Sequence, residues 1–288
     1  MKWQGINEFV AVAETQSFSG AARSLNISTA QVSRQITALE KRLQVKLFYR
    51  TTRKVSLTQE AQLFYQHCRQ LLDGLDNAEQ AITNLHGKPK GKIKLTAPVT
   101  YGEQKILPLV NDFAMLYDEI EITSELTNNQ VNLIEGGFDV AIRLGQLPDS
   151  SLIAKPLTHR VNYVCVSAEY LQKNGLPDSL SDLKNHNCLL GTKDHWGFSE
   201  QGKVKKVKVK GTLRCNSGLA LLDATLKGIG IVQLSDYYLL PYIKSGELIT
   251  VLDEFREPPE GIWAVYPQNR YLSPKIRLLI DYLTEHLN

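Results

Sequence analysis

Apolar residues in the first 60 positions follow helical spacing three times and then alternate over two short stretches. Ile6, Phe9, Val10 and Ala13 lie at i, i+3, i+4 and i+7, which predicts a first amphipathic helix. Ser17 precedes a short second segment, and turn residues separate it from a longer third one. The pattern predicts helices near 6–13, 18–25 and 29–43 and strands near 46–50 and 55–57.

A longer apolar seam follows this region and predicts one helix over 59–87. A helix of this length with an apolar face needs a partner, either a second copy of the chain or the body of its own chain. We favour the dimer-forming linker helix. The stretch 88–91, rich in Gly, Pro and Lys, marks a hinge after it. The seam consists of Leu63, Phe64, Cys68, Leu71, Leu72, Leu75, Ala78, Ile82 and Leu85.

From residue 92 to 288 the pattern changes to strands that alternate with helices, which predicts an α/β domain with a largely parallel sheet. Two crossovers near 162–166 and 263–267 would divide it into two lobes with a cleft between them. We expect lobe I to comprise about 92–162 and 267–288 and lobe II about 163–266. The fold class is therefore α/β overall, with an all-α winged helix-turn-helix over 1–58 and a linker helix ahead of the two lobes.

Charge is distributed unevenly along the chain. Residues 1–60 contain nine Lys and Arg against four Glu, whereas the remaining 228 contain 24 basic against 26 acidic residues. This excess of cations at the front is typical of a module that faces phosphates. The longest apolar runs, 229–232 and 237–241, are far shorter than a membrane span, and the N-terminus has no apolar signal region. We therefore expect a cytoplasmic protein that makes no membrane contact.

The exposed face of the third helix has side chains that can hydrogen-bond base edges. Gln pairs with adenine and Arg with guanine through two bonds each, which makes Gln31, Arg34 and Gln35 candidates for base contacts. Arg53 and Lys54 lie at the tip of the following hairpin, where a basic wing would contact the DNA backbone.

The motif over 21–28 together with 31–40 closely resembles the signature of LysR-type transcriptional regulators, and 47–53 with 55–58 resembles the wing and linker start of that family. The order of modules is also similar over the whole chain, with a back domain like periplasmic binding proteins. Two positions differ: Thr29-Ala30 replaces a common Gln-Pro, and Gln59-Glu60-Ala61 replaces Glu-Ala-Gly.

The resemblance implies double-stranded promoter or operator DNA and a small-molecule effector as partners, and assembly into a homodimer or homotetramer. It implies that the major groove is contacted by Ser28, Thr29, Gln31, Ser33, Arg34 and Gln35, and the backbone by Arg50, Arg53 and Lys54.

An effector cleft is expected where the strands of the first lobe end, because ligands of open α/β sheets bind beyond the carboxyl ends of the strands. Aromatic residues and a helix N-terminus that favours anions point to a small carboxylate. The candidate residues are Thr100, Tyr101, Thr127, Asn128, Arg143 and Gly145 from lobe I and Trp196, Phe198, Asn216 and Ser217 from lobe II.

Each candidate in the cleft also has a purely structural interpretation. Thr100 could cap its helix, and Asn216 and Ser217 could form the N-cap of a helix over 217–228. Trp196 and Phe198 could be ordinary core aromatics. Arg143 could form an ion pair with Asp139 or Glu135.

Catalytic and cofactor motifs are missing from the sequence, so neither an enzyme nor a cofactor or metal is expected. The fragment Gly228-Ile229-Gly230 is a turn rather than a nucleotide loop, and the six histidines do not cluster. His195 beside Asp194 is interpreted as a surface residue. The four cysteines, Cys68, Cys165, Cys188 and Cys215, lack metal-site spacing. Two alternatives stay open: a redox-sensing regulator that uses Cys188 and Cys215, and a solute-binding protein without a regulatory role.

Overall fold

The computed structural model describes residues 3–50, 55–83, 89–149, 151–268 and 272–287. The front of the chain, which we call the headpiece, comprises three helices and a two-stranded hairpin, and one long helix follows it. Its elements are α1 (Ile6–Thr15), α2 (Phe18–Ser24), α3 (Thr29–Leu43), β1 (Phe48–Arg50) and β2 (Val55–Leu57), and the long helix is α4 (Gln59–Thr83). The predicted winged helix-turn-helix and linker helix are therefore confirmed.

The headpiece core forms where α1 crosses α3. Phe9 is fully buried there against the apolar face of α3, which includes Val32 and Ile36. Gly5 caps α1 with a φ of 87°, and a Cβ at this position would lie 2.8 Å from the carbonyl oxygen of Gln35. Only glycine therefore allows α1 to begin so close to the backbone of α3.

The apolar seam of α4 divides into two faces with different surroundings. One face packs into the headpiece core, where Cys68 is buried and Phe64 contacts Phe9 at 5.2 Å between ring centroids. The other face presents Leu63, Leu71 and Leu75, which are each at least half exposed. The single seam that the spacing predicts thus serves the headpiece on one side and leaves a row of leucines in solvent on the other.

The remaining described chain forms two lobes built on separate sheets. The strands are β3 (Gly91–Ala97), β4 (Ile120–Leu126), β5 (Val140–Leu144), β6 (Leu152–Arg160), β7 (Asn162–Ser167), β8 (Cys188–Leu189), β9 (His195–Glu200), β10 (Lys203–Lys208), β11 (Ile231–Ser235), β12 (Leu248–Val251) and β13 (Glu260–Pro267). The helices are α5 (Val99–Tyr101), continued by a π-helical turn (Gly102–Ile106) into α6 (Leu107–Leu116), then α7 (Ala168–Asn174), α8 (Gly218–Leu226), α9 (Asp236–Ser245) and α10 (Pro274–His286).

The sheet of lobe I has the strand order β4-β3-β5-β13-β6. β3 pairs in parallel with β4 and β5, whereas β13 is antiparallel to both of its neighbours. The expectation of a largely parallel sheet is therefore wrong, since the sheet is mixed. The reason is the crossover: β6 leads the chain out to lobe II and β13 brings it back, so these adjacent strands run in opposite directions.

Lobe II contains the sheet β12-β7-β11-β8 and a separate two-stranded ribbon, β9-β10. The chain returns to lobe I before β13, because Ile262 and Ala264 of that strand are buried in the core of lobe I. The predicted boundary at 266 is therefore too late. The sequence placed a crossover near 263–267, but a strand pattern there could not tell which sheet the strand joins.

Between β4 and β5 the chain forms a series of turns at 133–137. At the end of the chain α10 packs its apolar face, including Leu279 and Leu283, onto the core of lobe I. Within the described residues, no helix combines the length and the apolar character that crossing a bilayer requires.

Candidate DNA interface and effector cleft

The first turn of α3 projects from the headpiece into solvent. Ser28 caps the helix, and its Oγ accepts a hydrogen bond from the backbone N–H of Gln31 at 3.2 Å. Thr29, Gln31 and Arg34 are exposed, while Ser33 and Gln35 are half-buried toward the rest of the headpiece. The face that the sequence nominates for base contacts is thus a mostly accessible surface next to a capped helix N-terminus, which favours anions.

An open groove of about 530 Å³ lies between the end of α2 and the start of α3. Its lining includes Ser19 and the exposed Arg23, neither of which the sequence analysis selected. Arg23 was missed because it lies within the small-residue stretch of α2, where close helix packing was the dominant signal. Its guanidinium adds a cation beside Ser28 and Thr29.

The wing begins with β1, which pairs with β2 in antiparallel register from Phe48 opposite Leu57 to Arg50 opposite Val55. Arg50 is exposed at this edge of the headpiece. Arg53 and Lys54, which the sequence places at the tip of the wing, lie outside the described residues.

The carboxyl ends of β3, β4 and β5 meet at one edge of the lobe I sheet, which we call the cleft edge. Thr127 and Asn128 follow β4 there, and Gly145 follows β5. Asn128 Oδ1 accepts the backbone N–H of Val99 at 3.1 Å, so the first N–H of α5 is bonded by Asn128 and not by Thr100. Of the other lobe I candidates, Arg143 is the next-to-last residue of β5, and Thr100 and Tyr101 lie in α5, just beyond β3.

Arg143, a half-buried residue near the end of β5, has a polar atom without a partner. Its Nη1 donates to the carbonyl oxygen of Ile142 at 3.3 Å, but its Nη2 is buried and has no hydrogen-bond partner among the described residues. Among the described residues, no ion pair joins Arg143 to Asp139 or Glu135, so the structure does not favour that interpretation. Burial lowers the pKa of Arg143, because desolvation disfavours its charged form.

A polar cluster at the lobe crossover was not predicted. Arg160 donates from Nε and Nη2 to Oε2 of Glu260 at 2.9 and 2.7 Å, and from Nη1 to Ser235 Oγ at 3.1 Å. Asp236 at the start of α9 accepts the backbone N–H of Val161 at 3.1 Å. These contacts join residues 75 to 100 positions apart, so spacing along the chain gave no signal for them.

Three tyrosines connect the two lobes beside this cluster. The buried ring of Tyr101 in lobe I lies edge-on to Tyr237 of lobe II, with centroids 5.1 Å apart, and Tyr237 lies 4.5 Å from Tyr238. A Cβ on Gly218 would lie 2.5 Å from the ring of Tyr238, so the absence of a side chain there admits the tyrosine. Burial, then the nearby carboxylate of Asp236, raises the pKa of Tyr101, so its hydroxyl stays protonated at neutral pH.

The candidate cleft residues of lobe II lie in different surroundings, two of them in the core. Trp196 and Phe198 are wrong as cleft residues, because both are buried in the core of lobe II, where alternate side chains of β9 point inward. Asn216 is exposed, and Ser217 caps α8 by accepting the backbone N–H of Ala220 at 3.4 Å. His195 is exposed and lies 2.6 Å from the Asp194 carboxylate, as expected of a surface residue.

The structure does not favour a disulfide between Cys188 and Cys215. Cys188 is buried in the core on one face of the lobe II sheet, and burial raises the pKa of its thiol to about 12. Cys215 packs against the core on the opposite face. Both are free thiols, with the sheet between them.

Comparison with known families gives two matches that together span nearly the whole chain. Residues 3–62 match the bacterial regulatory helix-turn-helix protein, lysR family, and residues 86–288 match the LysR substrate binding domain. Among relatives, an HTH-type transcriptional activator of Escherichia coli, TtdR, is 34% identical over 281 residues, covering 95% of this chain and 90% of the relative. An HTH-type transcriptional regulator of Haemophilus influenzae is 33% identical, with 96% and 97% covered.

Solved structures give the same result for the whole architecture. CrgA, a LysR-type transcriptional regulator from Neisseria meningitidis, aligns with a TM-score of 0.63 at 32% identity, covering 99% of this chain and 98% of that one. The full-length Vibrio cholerae virulence activator AphB aligns with a TM-score of 0.63 at 28% identity over 100% of both chains. A DNA-binding headpiece and an effector-binding domain in this order identify the chain as a member of the LysR family of bacterial transcriptional regulators.

Proposed function

We propose that this regulator binds a specific operator in the cytoplasm and that a small carboxylate controls it from the cleft edge. The observation that carries sequence-specific binding is the exposed face of α3, where Gln31 and Arg34 project beside a capped helix N-terminus. Both side chains can form two hydrogen bonds with a base, and Arg50 with the wing would hold the backbone. We assign residues 1–58 to the DNA-binding headpiece, 59–87 to the linker and dimerisation helix, 88–91 to the hinge and 92–288 to the effector-binding domain.

The partnerless Nη2 of Arg143 supports an anionic effector. A carboxylate is the anion whose planar geometry suits a guanidinium with two parallel bonds. Thr100 Oγ1 and the backbone N–H of Thr100 lie at the same edge and would contribute further donors, whereas the N–H of Val99 is already bonded to Asn128. Thr96 Oγ1, which is also buried without a partner, lies on the strand next to β5.

The exposed leucines of α4 support a homodimer, and a homotetramer could form from two dimers. Leu63, Leu71 and Leu75 form one row, since they are spaced by eight and four positions on a helix. Pairing this row with a second copy would remove three large apolar side chains from water. A dimer places two α3 helices on DNA, which fits a two-fold symmetric operator.

Closure of the lobes around an effector would alter the contacts at the crossover. The Arg160 cluster and the Tyr101–Tyr237 contact connect lobe I to α9 of lobe II, so both respond to the angle between the lobes. A ligand shifts this angle only to the extent that it binds one arrangement more tightly. The resulting change would reach the headpiece through α4.

The proposal is tested by measuring binding of the purified protein to DNA from upstream of its own gene, against random DNA of equal length. At near-physiological salt we expect a preference of at least about 10³-fold, as for specific regulators. A footprint then gives the spacing of half-sites. Equal weak binding to both DNAs, with and without a panel of carboxylates, would contradict operator recognition at that site.

A further inference from the structure

Glu40, on the last turns of α3, is a buried carboxylate that faces the wing. Its side chain is only 4% exposed. Oε1 accepts the backbone N–H of Leu47 at 2.9 Å, and Oε2 lies 3.3 Å from Lys46 Nζ and 3.4 Å from Arg50 Nη2. One residue of α3, the recognition helix that would contact the bases, thus bonds the backbone just before β1 and the guanidinium of Arg50 at the end of β1.

The guanidinium of Arg50 is held from two directions. Besides the Glu40 contact on Nη2, its Cζ lies 4.6 Å from the centroid of the Phe18 ring at the start of α2. The remaining donors of the guanidinium have no acceptor among the described residues. Glu40 and Phe18 therefore fix the orientation of Arg50 and leave part of its fork open to solvent.

The loop formed by Lys46 and Leu47, which Glu40 contacts from α3, is bonded on its other side to the start of the linker helix α4. Thr58 donates its backbone N–H to the carbonyl oxygen of Leu47 at 3.0 Å and its Oγ1 to that of Lys46 at 2.8 Å. Its Oγ1 also accepts the backbone N–H of Ala61 at 3.2 Å. The loop at 46–47 is therefore clamped between α3 and the start of α4, which fixes the base of the wing relative to both helices.

We propose that Glu40 is a positioning residue that holds the Arg50 guanidinium in register with the recognition helix for contact with the DNA backbone. This inference rests on the proposed role of Arg50 in DNA binding. Ordering the arginine when the protein folds means that less side-chain entropy is lost when DNA binds. Arg50 would then contact phosphates and Arg34 would contact bases from one rigid unit formed by α3 and the base of the wing.

The test compares Glu40→Gln, Arg50→Gln and the double variant for binding to a random-sequence DNA duplex over a series of salt concentrations. Gln keeps an acceptor for the Leu47 N–H but removes the charge that orients Arg50, so the headpiece stays folded. We expect the slope of log affinity against log salt to fall by about 1 in each single variant, which is the loss of one phosphate contact. The double variant should show no further loss. Glu60→Gln, an exposed site at the start of α4, changes net charge equally and should leave the slope unaltered.

Each outcome separates this inference from the role of Arg50 itself. An unchanged slope in Arg50→Gln would refute the proposed phosphate contact. A reduced slope in Arg50→Gln with an unchanged or steeper slope in Glu40→Gln would overturn the positioning role, as would additive losses in the double variant. If Glu40→Gln unfolds the headpiece, Glu40→Asp provides the second test, because it keeps the charge but draws the carboxylate back from Arg50 by one methylene. A slope equal to that of the unmodified protein would overturn the proposal there too.

Discussion

Glu40, buried in the headpiece, and Arg143, half-buried in the first lobe, are charged side chains that are bonded very differently. Glu40 has a partner for both of its oxygens, all from residues within ten positions of it. Arg143 has one backbone acceptor, and its second terminal nitrogen is buried without any partner among the described residues. The comparison indicates that the charge of Glu40 is paired within the headpiece, whereas Arg143 keeps a donor for the anion proposed above.

The largest expected effect is on effector binding. Replacing Arg143 with Met keeps the volume but removes the guanidinium, so we expect carboxylates to bind at least about 100-fold more weakly. Operator binding without effector should be unaltered, because the headpiece does not depend on the cleft. Calorimetric titration with a panel of aliphatic and aromatic carboxylates measures the loss. Lys155→Met, at an exposed ion pair of lobe I, is the matched control. Equal affinity in both variants would remove Arg143 from the site.

The next largest effect is on the unfolding free energy, which substitutions of Glu40 and Arg143 should change in different directions. Glu40→Ala leaves the buried N–H of Leu47 without its acceptor, and we expect a loss of about 2 kcal/mol in the unfolding free energy of the headpiece. Arg143→Met should leave lobe I equally stable or more stable, since no bond to its Nη2 is lost. Urea unfolding followed by hydrogen exchange assigns each change to its region. Destabilisation by both variants would mean that Arg143 has a structural role.

A specificity effect of one or two powers of ten should follow from changing Arg34. Arg34→Ala removes a side chain that can bond guanine twice, a contact worth roughly 1–3 kcal/mol of base discrimination. The ratio of operator to random-DNA affinity should therefore fall by about ten- to 100-fold, mostly through the operator. Arg50→Gln should lower both affinities and preserve the ratio. A ratio that falls equally in the two variants would contradict the separation of base contacts from backbone contacts.

The smallest expected effect is an alkaline loss of stability that is greater in lobe II than in the headpiece. Burial raises the pKa of Cys68 to about 11 and those of Cys165 and Cys188 to about 12. These thiols stay protonated in the folded state above pH 9 but ionise in the unfolded state, so their stabilisation is full below pH 9 and is lost as pH rises toward 11 or 12. We expect roughly 1 kcal/mol per thiol at pH 10. Cys188→Ala should remove the Cys188 share of the pH dependence of lobe II and leave that of the headpiece unaltered, and an unchanged profile would contradict this account.

Sequence patterns predicted the headpiece well because its structure depends on short spacings. Helix α3 has the predicted bounds, since an apolar period and the Ser28 cap both lie within it. The tips of β3, β4 and β5 were also predictable, because strands end where their apolar runs end. Both sets of residues are determined by neighbours in the sequence.

Long-range features were not predictable from the same patterns. Trp196 and Phe198 suggested a ligand site, but alternation on β9 directs them into the core of lobe II. Arg160 and Glu260 are 100 positions apart, and only the paired crossover strands bring them together. Strand β13 could be recognised as a strand but could not be assigned to a lobe, since a strand pattern contains no information about its partner.

The two faces of α4 have a consequence for building chimeric regulators from this family. The headpiece core is completed by Phe64 and Cys68, which lie beyond the last strand of the wing. A headpiece transferred without them would expose Phe9 and lose its fold. A cut near residue 58 would therefore fail, whereas a fusion beyond Thr83 would retain a folded headpiece together with the leucine row. The unit that can be exchanged between proteins is headpiece plus helix, and it would bring its own oligomeric preference with it.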